Sequence, residues 1–91
     1  MKAVKIKMKS GCGTSNNLIE IDSIFLTGCK QEGYYTKAAV HDYVKDHPGE
    51  IQVNINPYPN VVHAISINGE KYVKSSPDNT KVDNLLSLPR E

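Results

Sequence analysis

The sequence is poor in several residue types, and each shortage narrows the class of protein. Its 91 residues include no tryptophan, one phenylalanine and two cysteines. Two cysteines are too few for a disulfide framework, so we expect free thiols in a cytoplasmic protein, with a Cys12–Cys29 bridge as the alternative. With so few large aromatic rings, the core is expected to consist of Ile, Val and Leu side chains.

Net charge and long apolar runs are also lacking. Eleven Lys and Arg residues balance ten Asp and Glu residues to a formal charge of +1, so no overall field attracts nucleic acid or an anionic membrane. No apolar run is long enough to span a bilayer, and the alternating first residues lack the apolar block of a signal peptide. We therefore expect a single cytoplasmic domain, residues 1–91, with no membrane partner.

Catalytic and metal-binding motifs are missing as well. The chain contains no G-x-S-x-G, H-E-x-x-H, C-x-x-C or phosphate-loop pattern, and its three histidines lack finger-like spacing to the cysteines. We predict no catalytic residues, no cofactor and no metal. An enzyme working through Cys12 or Cys29 is the least favoured hypothesis, because it needs a thiol of lowered pKa beside a histidine.

The first third of the chain predicts two strands. Residues 2–9 alternate, with Val4, Ile6 and Met8 on one side and Lys5, Lys7 and Lys9 on the other. This is typical of a half-buried edge strand. Residues 10–17 form a loop, and residues 18–27 a second strand. A bulge near Asp22 and Ser23, or a short turn there, brings the Ile and Leu side chains of that strand to one core.

The middle of the chain predicts a loop and then one helix. Residues 28–35 are interpreted as the loop, and Thr36 as the N-cap. Pro48 and Gly49 end the helix. The predicted apolar stripe consists of Ala39, Val40, Tyr43, Val44 and His47, and the residues mainly outside it are Lys37, His41, Asp42, Lys45 and Asp46.

The last third predicts a short strand at residues 51–55, a proline-rich loop at 56–60 and a hairpin. The Asn68-Gly69 pair indicates a two-residue type I′ turn, which places Ile65 opposite Tyr72 and His63 opposite Lys74. A turn follows at residues 76–80. Asp83 then caps a short helical turn, residues 84–88, whose leucines are expected to dock on the hairpin because burial of each contributes about 1.5–3 kcal/mol.

The order of these elements is β-β-α-β-β-β plus a terminal turn. It predicts an α+β fold: a mainly antiparallel, curled sheet of about five strands, one packed helix and a docked C-terminal turn. A small half-barrel is the alternative, because both faces of the predicted hairpin carry apolar residues.

A resemblance lies in the C-terminal half, in a Tyr-x-x-x-x-Pro-Asp…Asp-Asn-Leu-Leu-x-Leu-Pro signature. Its residues are Gly69, Lys71-Tyr72-Val73, Pro77-Asp78, Thr80 and Asp83-Asn84-Leu85-Leu86-Ser87-Leu88-Pro89. They resemble a family of small, uncharacterised bacterial and phage proteins catalogued as a domain of unknown function. The match runs from about Thr36 to Pro89 and is poor before that, and family members commonly have Leu-Arg-Thr in place of Val73-Lys74-Ser75. The resemblance implies a compact α+β domain and no activity.

Two binding hypotheses remain ahead of the enzyme. The first is a non-catalytic protein-interaction or accessory module with an unknown protein partner, which binds through an open sheet edge or the loop around Tyr58, as a monomer or a weak edge-mediated dimer. The second is a nucleic-acid-binding module in which a lysine-rich face is combined with Tyr35 or Tyr72. The predicted binding surface consists of Lys5, Lys7, Lys9, Tyr35, Tyr58, Lys71 and Lys74.

Overall fold

A computed structural model describes residues 1–76 and 83–91. These residues form six strands, one α-helix and two 3-10 helices, which confirms the predicted α+β class. The strands are β1 (Lys2–Met8), β2 (Ile21–Thr27), β3 (Gly33–Thr36), β4 (Gln52–Val53), β5 (Val61–Ile65) and β6 (Lys71–Ser75). The helix is α1 (Lys37–Asp46), and the 3-10 helices are η1 (Leu18–Glu20) and η2 (Asn84–Ser87). Strand β3 replaces part of the predicted loop at residues 28–35.

The strands are arranged in two sheets. Four strands form an open sheet in the order β3-β2-β1-β4, and β5 pairs with β6 as a separate antiparallel hairpin. Within the larger sheet β1–β2 and β2–β3 are antiparallel, whereas β4 runs parallel to β1. Helix α1 packs against the hairpin and against β2 and β3. The half-barrel alternative is therefore replaced by an open sheet with a hairpin and helix beside it.

Two bulges set which side chains of β1 and β2 are buried. The register shifts between Ala3 and Lys5, which leaves Val4 as the extra residue, and again opposite Asp22. The second bulge confirms the one predicted near Asp22. The first was not predicted, and it moves Ala3 rather than Val4 into the core beside Ile6, both with no exposed surface.

Strand β1 is an inner strand, so its prediction as an edge strand is wrong. Its first residues pair with β4, and the Asn54 N–H donates to the Ala3 carbonyl at 2.9 Å. Farther along, the Ile6 N–H donates to the Pro89 carbonyl at 2.9 Å, and the Glu91 N–H donates to the Ile6 carbonyl at 3.0 Å. The far side of β1 is thus covered by two segments remote in sequence, which periodicity in β1 itself does not reveal.

Helix α1 begins as predicted, since the Thr36 hydroxyl accepts from the Ala39 N–H at 3.2 Å, but it buries a different stripe. The buried residues are Lys37, Val40, His41 and Val44, whereas Ala39, Tyr43 and His47 are exposed. The polar members are buried because they have partners. The Lys37 amine contacts the Glu70 carboxylate and the Ile19 carbonyl, and His41 Nδ1 lies 2.9 Å from the Tyr72 carbonyl oxygen.

The hairpin register differs from the prediction by one residue. His63 pairs with Val73 and Ile65 with Lys71, because the loop has three residues rather than two. The Gly69 N–H closes a turn onto the Ser66 carbonyl at 2.9 Å, and Gly69 alone in that loop has positive φ, +83°. This is a turn ending in a left-handed glycine, not a type I′ turn. A one-residue change moves Val73 to the face shared with Val61 and His63, and Tyr72 to the opposite face.

The C-terminal leucines are docked, as predicted. Asp83 caps η2 by accepting from the Leu85 N–H at 2.9 Å, and it accepts from the Ser75 N–H at 3.0 Å. Leu85, Leu86 and Leu88 are buried, and η2 packs between β1 and β6. Beyond Ser76, the predicted turn lies outside the described residues. The buried core is aliphatic, as expected, with large members such as Ile6, Ile21, Ile24, Ile51 and Leu85.

Candidate functional site

The seven residues of the predicted binding surface do not converge. Lys5 and Lys7 lie on the outer face of the four-stranded sheet. There Lys5 is paired with Phe25, Phe25 with Tyr34, and the Lys5 Nζ atom is 4.8 Å from the centroid of the Phe25 ring. Tyr35 is paired with the buried Ile24 and therefore faces the inner side. Lys9 follows β1, while Lys71 and Lys74 belong to the separate hairpin.

Most of these lysines are paired with carboxylates. Lys5 Nζ lies 2.7 Å from Glu91, Lys71 Nζ lies 2.8 Å from Asp42, and Lys9 Nζ lies 3.2 Å from Glu70. The hydrogen bonds from Lys5, Lys71 and Lys37 lower the pKa values of the Glu91, Asp42 and Glu70 carboxyls, respectively. A face whose cations are matched by acids attracts a phosphate backbone weakly.

The remaining predicted residues are scattered. Lys7 is exposed, and Lys74 is half-buried opposite Val62. Tyr58 is 50% exposed in the loop after β4, and the Lys2 amine lies 4.7 Å from the centroid of its ring. These positions do not share a face with Lys71 or Tyr35, so the predicted surface is split by the fold.

The two thiols have different surroundings. The Cys12 Sγ–H donates to a Glu20 carboxylate oxygen at 3.0 Å, and this hydrogen bond, together with burial, raises the pKa of Cys12. A raised pKa lowers the thiolate fraction, which opposes nucleophilic chemistry at Cys12. The Cys29 Sγ–H lies 3.4 Å from the Gln31 carbonyl oxygen. Neither thiol is hydrogen-bonded to a histidine in the described residues, and the two cysteines are free.

An apolar groove of about 470 Å³ lies between the inner face of the sheet and α1. We call it the α1 groove. Its lining consists of Met1, Leu26, Cys29, Lys30, Gln31, Tyr35, Ala39, Val40 and Tyr43. The apolar stripe predicted on the helix is thus present, but Ala39 and Tyr43 line the groove instead of joining the core. Sequence periodicity identifies an apolar face, and it does not distinguish a face covered by the protein from one left open.

The polar atoms in the walls of the α1 groove already have partners. The Tyr35 hydroxyl donates to the Gln31 carbonyl, and the Cys29 thiol points to the same oxygen. The Tyr43 ring packs against His47 with ring centroids 4.7 Å apart. A molecule entering the groove therefore meets mainly carbon surface, and Lys30 and Gln31 are among the lining residues whose side-chain polar groups make no hydrogen bond within the described residues.

Strand β3 borders this groove and forms the open edge of the sheet. It pairs with β2 on one side, and no strand of the described residues pairs with its other side. The backbone groups of an antiparallel strand point alternately to its two sides, so half of those in β3 point away from β2. Its sequence, Gly33-Tyr34-Tyr35-Thr36, contains no charge and no proline, which are two of the usual protections of an exposed edge, and its shortness is one protection that it has.

The sequence contained partial signals for this site. Tyr34, Tyr35 and Thr36 are residue types favoured in strands, but a run of four residues after a glycine-containing loop is too short to show alternation. In the described residues, no three His, Cys, Asp or Glu side chains cluster as metal ligands. No helix in that part of the chain combines the length and apolarity needed to cross a bilayer.

Comparison with known proteins identifies a family without assigning an activity. Residues 2–89 match the family described as protein of unknown function (DUF3892), and the chain belongs to it. This confirms the expectation of an uncharacterised family, and the match includes the region before Thr36 in which the resemblance was poor. The C-terminal signature and the bacterial or phage origin stay predictions. No curated protein and no solved structure matches the chain.

Proposed function

We propose that this family member is a non-catalytic interaction module that binds an extended segment of a partner protein along β3, with an apolar side chain of that segment in the α1 groove. The observation that supports it best is the position of an open strand edge, without charge or proline, directly beside an apolar groove. Strand addition uses main-chain hydrogen bonds for affinity and side-chain pockets for specificity, and both are available at this place.

The size of the groove agrees with this kind of ligand. Clefts that bind small molecules are typically about 300–1,000 Å³, so a groove of about 470 Å³ lies within the range of concave ligand sites. Tyr35 links the two parts of the site, because it belongs to the edge strand and also lines the groove. A segment paired with β3 therefore places alternate side chains toward the groove.

The proposal is tested with peptides displayed on phage. A library of random peptides is selected on the immobilised protein, enriched peptides are synthesised, and their affinities are measured by fluorescence polarisation. Isotope-labelled protein is then titrated with them. We expect amide shifts in β3 and in the first two turns of α1, and enrichment of peptides with bulky apolar residues.

Two neighbouring alanines supply a matched pair of variants. Ala39 and Ala38 are both exposed on α1, but Ala39 lines the groove and Ala38 does not. Ala39→Arg is expected to weaken binding about tenfold or more by filling the groove, which corresponds to about 1.4 kcal/mol. Ala38→Arg is expected to leave the affinity nearly unchanged. Failure to enrich any peptide, or equal binding by both variants, contradicts the proposal.

Self-association through the same edge is the expected competing state. A second copy of the chain can pair its β3 with the first, which gives the weak edge-mediated dimer predicted from the sequence. Sedimentation measured with and without a bound peptide distinguishes the two states, because a peptide on β3 displaces the second copy.

The nucleic-acid hypothesis keeps one specific observation in its favour. Phe25 and Tyr34 stack edge to face, 5.1 Å between centroids, on the outer face of the sheet, where Lys5 lies over both rings. Bases stack on such platforms. However, Lys5 is paired with Glu91, and burial together with Glu91 raises the pKa of the Tyr34 hydroxyl. Titration with a labelled oligothymidylate at low and high salt tests this alternative, and Phe25→Ala is expected to abolish any binding found.

A further inference from the structure

The charge around the α1 groove has one sign. Lys30 is the charged side chain in the lining, and the lining contains no carboxylate. Lys30 is one of the lysines of the described residues that make no ion pair, whereas Lys5, Lys9, Lys37 and Lys71 are each paired with an acid. Lys30 is therefore an uncompensated cation beside an apolar surface.

Two acids on the neighbouring elements, Glu32 and Asp42, are engaged elsewhere. The Glu32 carboxylate accepts from the Gly28 N–H at 2.8 Å and so stabilises the loop between β2 and β3. On α1, the Asp42 carboxylate is paired with Lys71 on the hairpin. Neither acid lines the groove, and an apolar wall reduces the solvent screening of a cation beside it.

We infer that the segment bound in the α1 groove carries an Asp or Glu about two residues from its apolar anchor, and that this carboxylate pairs with Lys30. The inference rests on the proposed function and specifies the chemistry of the partner. Side chains two residues apart in an extended segment lie on the same face, so a carboxylate at that spacing reaches the groove side together with the anchor.

The test uses protection of the Cys29 thiol. Two pools of acetylated, amidated peptides are prepared, identical in their bulky apolar and β-branched positions, with Glu two residues before and after the anchor in one pool and Gln at the same positions in the other. The protein is treated with iodoacetamide in the presence of each pool, and mass spectrometry measures alkylation of Cys29. Cys12, which lies outside the groove lining, is the internal reference for general effects on reactivity.

The Glu pool is expected to protect Cys29 at a concentration about two- to fivefold lower than the Gln pool, the range of an exposed ion pair. Lys30→Gln is expected to remove this difference, so that both pools protect Cys29 at the same concentration in that variant. Lys45→Gln, at an exposed lysine of α1 outside the lining, is expected to keep the difference. The preference is also expected to shrink in high salt.

The outcomes separate the two levels of the proposal. Equal protection by both pools, or a Glu preference that survives in Lys30→Gln, overturns the inference and leaves the proposed function standing. Absence of protection by either pool contradicts the proposed function itself. Protection by a long-chain fatty acid in preference to both pools overturns the inference, because the occupant is then a lipid-like carboxylate and not a protein segment.

Discussion

The two edge strands of the four-stranded sheet, β4 and β3, differ in whether another segment of the chain is hydrogen-bonded to their outer side. Next to β4, the Val53 N–H donates to the Pro59 carbonyl at 2.9 Å, and the Val61 N–H donates to the Ile51 carbonyl at 2.8 Å. The loop that covers this edge carries two prolines. At the opposite edge, β3 has neither a covering segment in the described residues nor a charge within its four residues.

The difference is that a proline-containing loop covers the β4 edge, whereas no strand of the described residues covers the β3 edge. Prolines and return loops prevent strand addition where they are present. The open edge coincides with the apolar groove, and the closed edge does not. An open strand edge beside exposed carbon surface carries a risk of aggregation, and such surfaces commonly mark interaction sites.

The largest effect is expected on the closed side. Leu85 has no exposed surface in η2, which packs between β1 and β6. Leu85→Ala is expected to lower the free energy of unfolding by about 2–5 kcal/mol, because it removes buried carbon and leaves a cavity. Urea denaturation measures the change. Ser87→Ala, at an exposed position of η2, is the control and is expected to change it by less than about 0.5 kcal/mol.

Hydrogen exchange compares the two edges without substitution. The Ile6, Val53 and Val61 amides donate to neighbouring segments, so they are expected to exchange only on large-scale unfolding. In β3 every second amide points away from β2 and is expected to exchange orders of magnitude faster. If all amides of β3 are equally protected from hydrogen exchange in the free protein, the outer side of β3 is covered, and the two edges of the sheet do not differ.

An ion cluster of Glu70, Lys37 and Lys9 joins the start of α1, which directly follows β3, to the hairpin loop and to the residue after β1. The hydrogen bond from Lys37, followed by that from Lys9, lowers the pKa of Glu70 below its ordinary value of 4.5. A carboxyl with a lower pKa in the folded state stabilises it above pH 4.5, and this contribution is lost as the pH falls through the folded pKa. Glu70→Gln is expected to be less stable than the parent at pH 7, with a gap that narrows in acid.

Urea midpoints measured from pH 7 to pH 3 test this dependence. The matched control is Glu50→Gln, at an exposed glutamate whose carboxylate forms no ion pair within the described residues. The difference between its urea midpoint and that of the parent is expected to be the same at every pH. A gap for Glu70→Gln that does not change with pH argues against the ion cluster.

The smallest effect on stability is expected at Gly33 in the open edge. Gly33 is paired with Leu26 and lacks positive φ, and an added Cβ meets no heavy atom within 4 Å. Gly33→Lys is therefore expected to change the free energy of unfolding by less than about 0.5 kcal/mol. It nevertheless places a charge on the edge beside the groove and is expected to abolish peptide binding and edge dimers.

Gly13→Lys is the matched control for this substitution. Gly13 is an exposed loop glycine with equally open surroundings and no positive φ, and it lies away from β3. It is expected to bind peptides like the parent. If both glycine variants lose peptide binding, the loss is caused by the added positive charge and not by the position of the lysine on the β3 edge.

Local patterns in the sequence predicted where helices, strands and bulges lie along the chain better than they predicted which elements pack side by side. Thr36 as a helix cap, Asp83 as the cap of the terminal turn and the bulge at Asp22 were all predictable, because each depends on residues close in sequence. The inner position of β1 was not, since the segments that cover it come from residues 52–54 and 89–91. Alternation in one strand gives no information about its lateral partners.

The candidate site was predicted only in outline. An open sheet edge was expected, but its location on β3 depends on a strand of four residues without a periodic signal. The lysines were predicted to share one face, and the fold separates them because β1 and the hairpin belong to different sheets. Burial of Lys37 and His41 depended on the Glu70 carboxylate and the Tyr72 carbonyl, which lie more than 30 residues away in the chain.

The pairing of residues 89–91 with the middle of β1 has a consequence for synthesis on the ribosome. The main-chain groups of Ile6 leave the exit tunnel before the residues that supply their hydrogen-bond acceptor and donor, Pro89 and Glu91, have been translated. This side of β1 therefore stays uncovered until residues 89–91 have left the tunnel, and a nascent chain stalled before that point exposes it. Contacts between residues so distant along the chain also slow folding after release, because a large loop must close before they form.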